Sequence, residues 1–311
     1  MKVLVLGSAA GGGFPQWNCS CPLCAGQRSG RLGAAPRTQS SLAVSADGDA
    51  WVLLNASPDI AQQIRARPAL QPRHAPRHTP IAAIVLTDAH IDGVSGLLGL
   101  RHDGPLELYA TPGVFEHLTA GLPILPVLQH YCGVHWHLVP VAGERRAARF
   151  GVPGFATLQF EAVAVAGKSP PYAMQRSETP VGEHIALRVL DTATGARLCY
   201  APGLARVGDD EMEALRDADC LIVDGSHWSE DELIAAGIGR KRASDLGHLA
   251  IAGGPVGTPG MMDVLEELPA ARKLLIHVNN TNPILDPASP ERAELARRGI
   301  EVAEDGMEIE L

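Results

Sequence analysis

The sequence predicts an α/β domain of two sheets with helices packed outside them. Three observations lead there. Apolar runs at 81–86, 220–223 and 273–276 read as buried strands. Shorter runs pair as hairpins in each half of the chain. No linker or low-complexity stretch divides the 311 residues, whose 46% hydrophobic and 20% charged content is ordinary for a globular chain. One domain spanning 1–311 is therefore expected.

Residues 3–6 form the first strand, and the glycine-rich turn at 7–13 lets the backbone pass close to another group. Residues 41–44 and 51–55 read as a hairpin joined at Asp47-Gly48, a dipeptide suited to a tight turn. A short helix follows at 58–67, with Ser57 as N-cap and Pro58 at its first position. The stretch 71–80, rich in proline, histidine and arginine, reads as an exposed loop. Strand 81–86 leads into the polar run Thr87, Asp88, Ala89, His90, Ile91, Asp92, Gly93, and an apolar helix covers 94–100. Farther on, 187–190 and 197–201 pair as a second hairpin, strand 220–223 ends at Asp224, and strand 273–276 ends at His277.

Composition narrows the function. A net charge of -9 opposes binding to nucleic-acid phosphates, so a small or peptide-like substrate is expected. No stretch approaches the ~20 continuous apolar residues of a membrane helix, and the first seven residues are too short for a signal-peptide core. The expectation is a soluble, cytoplasmic protein without membrane insertion. Six cysteines in a chain this long make a disulfide scaffold a poor fit. Cys132, Cys199 and Cys220 read as small core residues. Cys19, Cys21 and Cys24 are crowded into one loop, and thiolates so close suit a soft metal such as zinc. The alternative, three free thiols in a mobile loop, would leave them open to oxidation.

The remaining chemistry sits at strand ends. Asp88, His90 and Asp92 alternate just after one buried strand, and Asp224 and His277 each follow another. A lone Asp after a strand is commonly a turn former or helix cap. Three strand ends with the same chemistry instead describe an N/O site for zinc or iron at one sheet edge.

The segment Asp88-Ala89-His90-Ile91-Asp92-Gly93 resembles a degenerate HxHxDH motif of the metallo-β-lactamase superfamily, which implies a four-layer αββα sandwich with the site at one edge of the two sheets. Residues 7–21, through Phe14-Pro15-Gln16-Trp17-Asn18-Cys19-Ser20-Cys21, resemble the start of the PqqB family of pyrroloquinoline quinone (PQQ) biosynthesis. His277-Val278-Asn279-Asn280-Thr281-Asn282-Pro283-Ile284-Leu285 resembles that family's HINNTNPIL segment, and Gly167-Lys168-Ser169-Pro170-Pro171-Tyr172 and Gly247-His248-Leu249 give weaker matches. The similarity runs from the first strand to the C-terminal region.

The resemblance implies a small-molecule PQQ precursor. The implied activity is iron- and oxygen-dependent hydroxylation of the tyrosine ring of a crosslinked Glu-Tyr compound; the alternative is a carrier that moves PQQ or its precursor to the periplasm. Asp88, His90, Asp92, Asp224 and His277 are the expected ligands of an active-site metal, with Fe2+ suited to their N/O character. Asp88 and Gly93 replace two histidines of the superfamily pattern, which weakens a two-metal hydrolase. His184 reads as a structural or surface residue, since isolated histidines commonly sit partly exposed, and stays outside the ligand set. His248 occupies a position where a phosphodiesterase-like branch places a catalytic histidine, and a neutral imidazole there could take the phenolic proton; a helix-start capping contact is the other reading. Arg101 and Lys168 could steer carboxylates or be solvated charges. The CxCxxC loop at about 14–30 resembles a structural Zn2+ loop, its fourth ligand open between water and a distant His227, with Asn280 at the position where relatives carry histidine. A homodimer is admitted but not required.

Overall fold

The computed structural model describes residues 1–73, 75–173 and 179–311. Among them the first six strands are β1 (Lys2–Gly7), β2 (Ser41–Ser45), β3 (Trp51–Leu54), β4 (Ile81–Val85), β5 (Leu106–Ala110) and β6 (Val134–Leu138). Then come β7 (Ala147–Phe150), β8 (Leu158–Ala164), β9 (Ile185–Asp191), β10 (Arg197–Ala201), β11 (Cys220–Asp224), β12 (Arg272–Ile276), β13 (Ile300–Val302) and β14 (Glu308–Glu310). They form two seven-stranded sheets, ordered β14-β1-β2-β3-β4-β5-β6 and β13-β12-β11-β10-β9-β8-β7.

Each sheet mixes the two pairings. The β1–β2–β3 and β7–β8–β9–β10 ladders are antiparallel, whereas β3 to β6 and β10 to β13 run parallel. Alternation along the strands sorts side chains into layers. Val3, Val5, Leu42, Val52 and Leu54 of one sheet meet Phe160, Leu187, Val189, Tyr200 and Ile276 of the other in a shared core. The opposite faces, Leu4, Leu6, Trp51 and Leu53 on one side and Cys199, Leu221, Val223 and Leu275 on the other, lie under the outer helices. The result is the αββα sandwich that the motif resemblance implies.

Both hairpins form as expected, the first turning where Gly48 has φ 95°. The helix expected at 58–67 is shorter, Ile60–Arg65, and Ser57 is not its cap. The Ser57 hydroxyl instead donates to Gln63 Oε1 at 3.2 Å, while the Asp59 carboxylate is bound by Gln39. The helix expected at 94–100 begins earlier, as Ile91–Val94, and continues as a 3-10 turn over Ser95–Gly99. Close packing is the reason: a Cβ on Gly96 would stand 2.0 Å from the Ser57 carbonyl, so the chain tightens against that loop. β4 is buried only from Ala83 onward. The loop at 71–80 is exposed apart from half-buried His78 and buried Pro80, and residue 74 lies outside the described residues. Cys199 and Cys220 are core residues, but Cys132 is half-buried. Among the described residues no helix is long and apolar enough to cross a membrane.

Candidate functional site

A cleft of about 660 Å³ opens where β4, β11 and β12 release their chains, and Asp88, His90, Asp92, His248 and His277 all line it. The acidic loop after β4 is pinned from below. Asn55, itself at φ 63°, accepts the Thr87 N–H at 2.9 Å and donates to the Thr87 hydroxyl at 2.9 Å. Asp88 then folds back on the loop, accepting from the His90 N–H at 2.8 Å and the Thr87 hydroxyl at 3.0 Å. His277 leaves β12 at φ 60°, a backbone region rarely used by side-chain-bearing residues. That turn is held because the Val278 and Asn279 N–H groups donate to the Ser8 and Ser226 carbonyls, each at 3.0 Å.

Asp92 Oδ2 and His277 Nε2 face each other at 2.8 Å. Burial works to raise the Asp92 pKa, but the His277 hydrogen bond and the His277 and His90 charges outweigh it and hold the carboxyl well below its usual range. Burial likewise pulls the His277 pKa down, and its bond to Asp92 with the charges of Asp92, Asp224 and Asp88 drives it up on balance. Across the cleft, one backbone oxygen serves two imidazoles. The Lys168 carbonyl lies 2.8 Å from both His90 Nε2 and His184 Nε2. Their rings are 5.5 Å apart. Tyr172 donates to the Ala89 carbonyl, closing the 167–172 loop over the acidic turn.

Asp224, expected among the ligands, does not line the cleft; it is fully buried beneath Ser226 and His248. His248 Nδ1 is 2.6 Å from its Oδ2, and the Ser226 hydroxyl is 2.6 Å from its Oδ1. Burial tends to raise the Asp224 pKa, yet the His248 charge and hydrogen bond, with help from His277 and Ser226, lower it overall. The ligand atoms of Asp224, His248 and His277 lie within 4.8 Å of one another.

The three clustered thiols form a second group, their sulfurs also within 4.8 Å of one another. Asn280 Nδ2 approaches Cys24 Sγ at 3.4 Å and Cys21 Sγ at 3.8 Å. Burial pushes the Cys21 thiol up to about 11. Burial opposes ionisation of Cys19 too, but the Cys21 N–H and neighbouring thiol contacts prevail and lower it. This close sulfur-rich group can hold zinc, whereas among the described residues the cleft offers nitrogen and oxygen donors.

Three residues with alternative readings in the sequence take definite places. His227 stands apart from the thiols: it lines the cleft, with Nδ1 3.2 Å from Glu232 and its ring 5.9 Å from His248. Arg101 is outside the cleft, its guanidinium 5.8 Å over the Tyr131 ring. His184 is a buried cleft-wall residue and not a partly exposed one. Lys168 does line the cleft, with Nζ donating to the Asp245 carbonyl, and Lys241 joins it there. Ser226, Lys241 and Asn55 escaped the sequence reading; Ser226, two residues past Asp224, was the most findable of them.

Residues 50–278 match the family described as the Beta-lactamase superfamily domain. The chain is 53% identical over its whole length to Coenzyme PQQ synthesis protein B of Cupriavidus necator, covering 99% of that protein. It is 50% identical to the protein of the same name from Azotobacter vinelandii, with both chains fully covered. Among solved structures it is similar to Zn(2+)-bound PqqB from Methylobacterium extorquens, with TM-score 0.90, 38% identity and full coverage of both chains.

Proposed function

The chain belongs to the coenzyme PQQ synthesis protein B family of the β-lactamase superfamily and acts in PQQ biosynthesis, and from that premise we propose that its cleft hydroxylates the tyrosine ring of a crosslinked Glu-Tyr precursor using iron and dioxygen. The observation that carries this reading is the separation of donor types: among the described residues nitrogen and oxygen donors line the cleft, and the clustered thiols sit in a loop outside it. Asp92, His277 and Asp88 are the residues suited to hold one cation. Asp92 and His277 already bring two ligand atoms to 2.8 Å, and His90, whose Nε2 is held at the Lys168 carbonyl, could add Nδ1. Asp88 and Gly93, standing where the superfamily pattern has histidines, favour one metal over a two-metal hydrolase.

Ferrous iron bound there would supply the redox steps that let dioxygen react with a phenol ring. Overall, one ring C–H becomes C–OH and the second oxygen atom leaves as water, with two electrons and two protons from an external reductant. The protein's own part is to bind, orient and move a proton. His248 Nε2 is free to accept the phenolic proton while Nδ1 is held by Asp224. Lys168 and Lys241 suit the precursor's carboxylates. The cleft volume falls in the range of small-molecule sites. The reading treats 1–311 as one domain whose 14–30 loop carries a structural Zn2+, and the zinc-bound relative from Methylobacterium extorquens supports metal binding on this fold.

The test is anaerobic loading with Fe(II), then exposure to oxygen, a reductant and a crosslinked Glu-Tyr mimic, read by mass. A gain of one oxygen that disappears in His277→Ala is expected. Tight binding of the mimic with no oxygen gained would overturn the hydroxylase in favour of carriage.

A further inference from the structure

The acceptor positions of Asp224 are full. Oδ1 accepts from the Ser226 N–H at 3.0 Å and the Ser226 hydroxyl at 2.6 Å. Oδ2 accepts from the Leu204 N–H at 3.0 Å and His248 Nδ1 at 2.6 Å. An ionised carboxylate has about four lone-pair sites, so four donors leave none for a cation. The 4.8 Å clustering of Asp224, His248 and His277 is a spacing a cation could bridge. The direct contact inside that cluster is nevertheless the hydrogen bond from His248 Nδ1 to Asp224 at 2.6 Å, and Asp224 alone of the three is absent from the cleft wall.

We infer that Asp224 is a positioning residue, not a metal ligand: it holds His248 as the tautomer with Nδ1 protonated and Nε2 open to the cleft. The inference deepens the reading of His248 as the base that takes the phenolic proton, and rests on it for its purpose. Counting protons extends the argument to His277. The single hydroxyl proton of Ser226 goes to Oδ1, so its oxygen is an acceptor toward both rings, for His277 Nδ1 at 2.8 Å and for the Nδ1–H that His248 shares with Asp224 at 3.1 Å. His277 is thereby protonated at Nδ1, with Nε2 on the Asp92 side. One buried carboxylate orients His248 directly and His277 through Ser226, with the two rings 5.3 Å apart. An amide cannot replace it, because its NH2 end would face an N–H donor on whichever side it lay, the Ser226 N–H on one side or the Leu204 N–H on the other, and where it turned toward His248 that ring would have to reprotonate at Nε2 to accept from it.

The experiment uses Asp224→Asn in the full chain, with two readouts that need no turnover. Histidine 15N spectra of the metal-free protein should report Nδ1–H for His248 in the wild type and shifted His248 resonances in the variant, reaching Nε2–H where the amide nitrogen turns toward the ring. Mn2+, a hard probe that thiolates bind poorly, should occupy the cleft once per chain by EPR in both, and be lost in Asp92→Asn. Loss of Mn2+ from a folded Asp224→Asn, or a wild-type His248 protonated at Nε2, overturns the inference. If Asp224→Asn does not fold, the wild-type tautomer decides, and Ser226→Ala should keep it while shifting the His277 resonances. Failure of the wild type to hydroxylate would refute the proposed reaction and leave the tautomer and Mn2+ results intact, so the two failures are distinguishable.

Discussion

Replacing Gly167 with alanine tests how tightly the cleft wall is built. A Cβ there would stand 2.1 Å from His184 Cγ, 2.3 Å from Cδ2 and 2.5 Å from Nδ1, where ordinary contact begins at 3.4 Å. The imidazole must retreat by about 3.4 − 2.1 = 1.3 Å. It is only 6% exposed, so there is little free space to receive it. The shift also breaks its 2.8 Å bond to the Lys168 carbonyl. Gly167 is not in the left-handed region, so backbone strain adds nothing. Overpacking costs ~1–3 kcal/mol and the buried hydrogen bond about 1 kcal/mol, giving ~2–4 kcal/mol together. Reversible urea unfolding measures this, with Gly151→Ala as the control because a Cβ there meets nothing within 4 Å. A Gly167→Ala loss below about 0.5 kcal/mol, the range of neutral surface changes, would refute the packing argument.

Other outcomes follow from the same geometry. At pH 8, Ellman's reagent should reach Cys132 in the zinc-loaded protein, and chelation should add Cys19, half-buried and with its thiol pKa lowered, ahead of buried Cys21 and Cys24. Burial pushes the thiols of Cys199 and Cys220 up to about 12. Their thiolates stay scarce up to pH 9, so they should react only after unfolding; labelling of either in the native protein would contradict their place in the core. Lys241→Ala should raise KM for an acidic precursor several-fold, as expected of an exposed charge contact, with kcat little changed; a kcat effect alone would remove Lys241 from substrate binding.

Much of the fold was legible because its signals are local. Apolar runs marked β4, β11 and the second half of β12, and the polar residues that end them identified four of the cleft's functional side chains. What remained hidden depends on contacts distant in sequence. The Lys168 carbonyl is a backbone atom, so no residue type announces it. His184 is buried because Gly167 lets the 167–172 loop press onto its ring, a fact about packing and not about either residue alone. Asp224 was found as a strand-end carboxylate, but its role turns on the donors around it, and one of them, the Leu204 N–H, comes from a loop 20 residues away. Ser57 and Pro58 carried a sound helix-start signal that lost to tertiary contacts with Gln63 and Gly96.

The two candidate metal groups are close enough to ask whether one governs the other, since Asn280, which touches the thiols, follows His277 by three residues. The link can be weighed. The segment between them is fixed by backbone bonds that need no metal: Val278 N–H to the Ser8 carbonyl at 3.0 Å, Ala10 N–H to the Val278 carbonyl at 2.9 Å and Asn279 N–H to the Ser226 carbonyl at 3.0 Å. At about 0.5–1.5 kcal/mol each, these outweigh the two amide-to-sulfur approaches at 3.4 and 3.8 Å. Asn282 adds a further tie, donating from Nδ2 to the Gly225 carbonyl at 3.0 Å. Loss of the thiolate metal should therefore loosen the 14–30 loop and Asn280 but leave His277 in place. Cys21→Ser is expected to lose zinc by metal analysis while still taking up one Mn2+ in the cleft. If both metals are lost from a folded variant, the backbone bonds do not insulate His277, and the cysteine loop is part of the active centre.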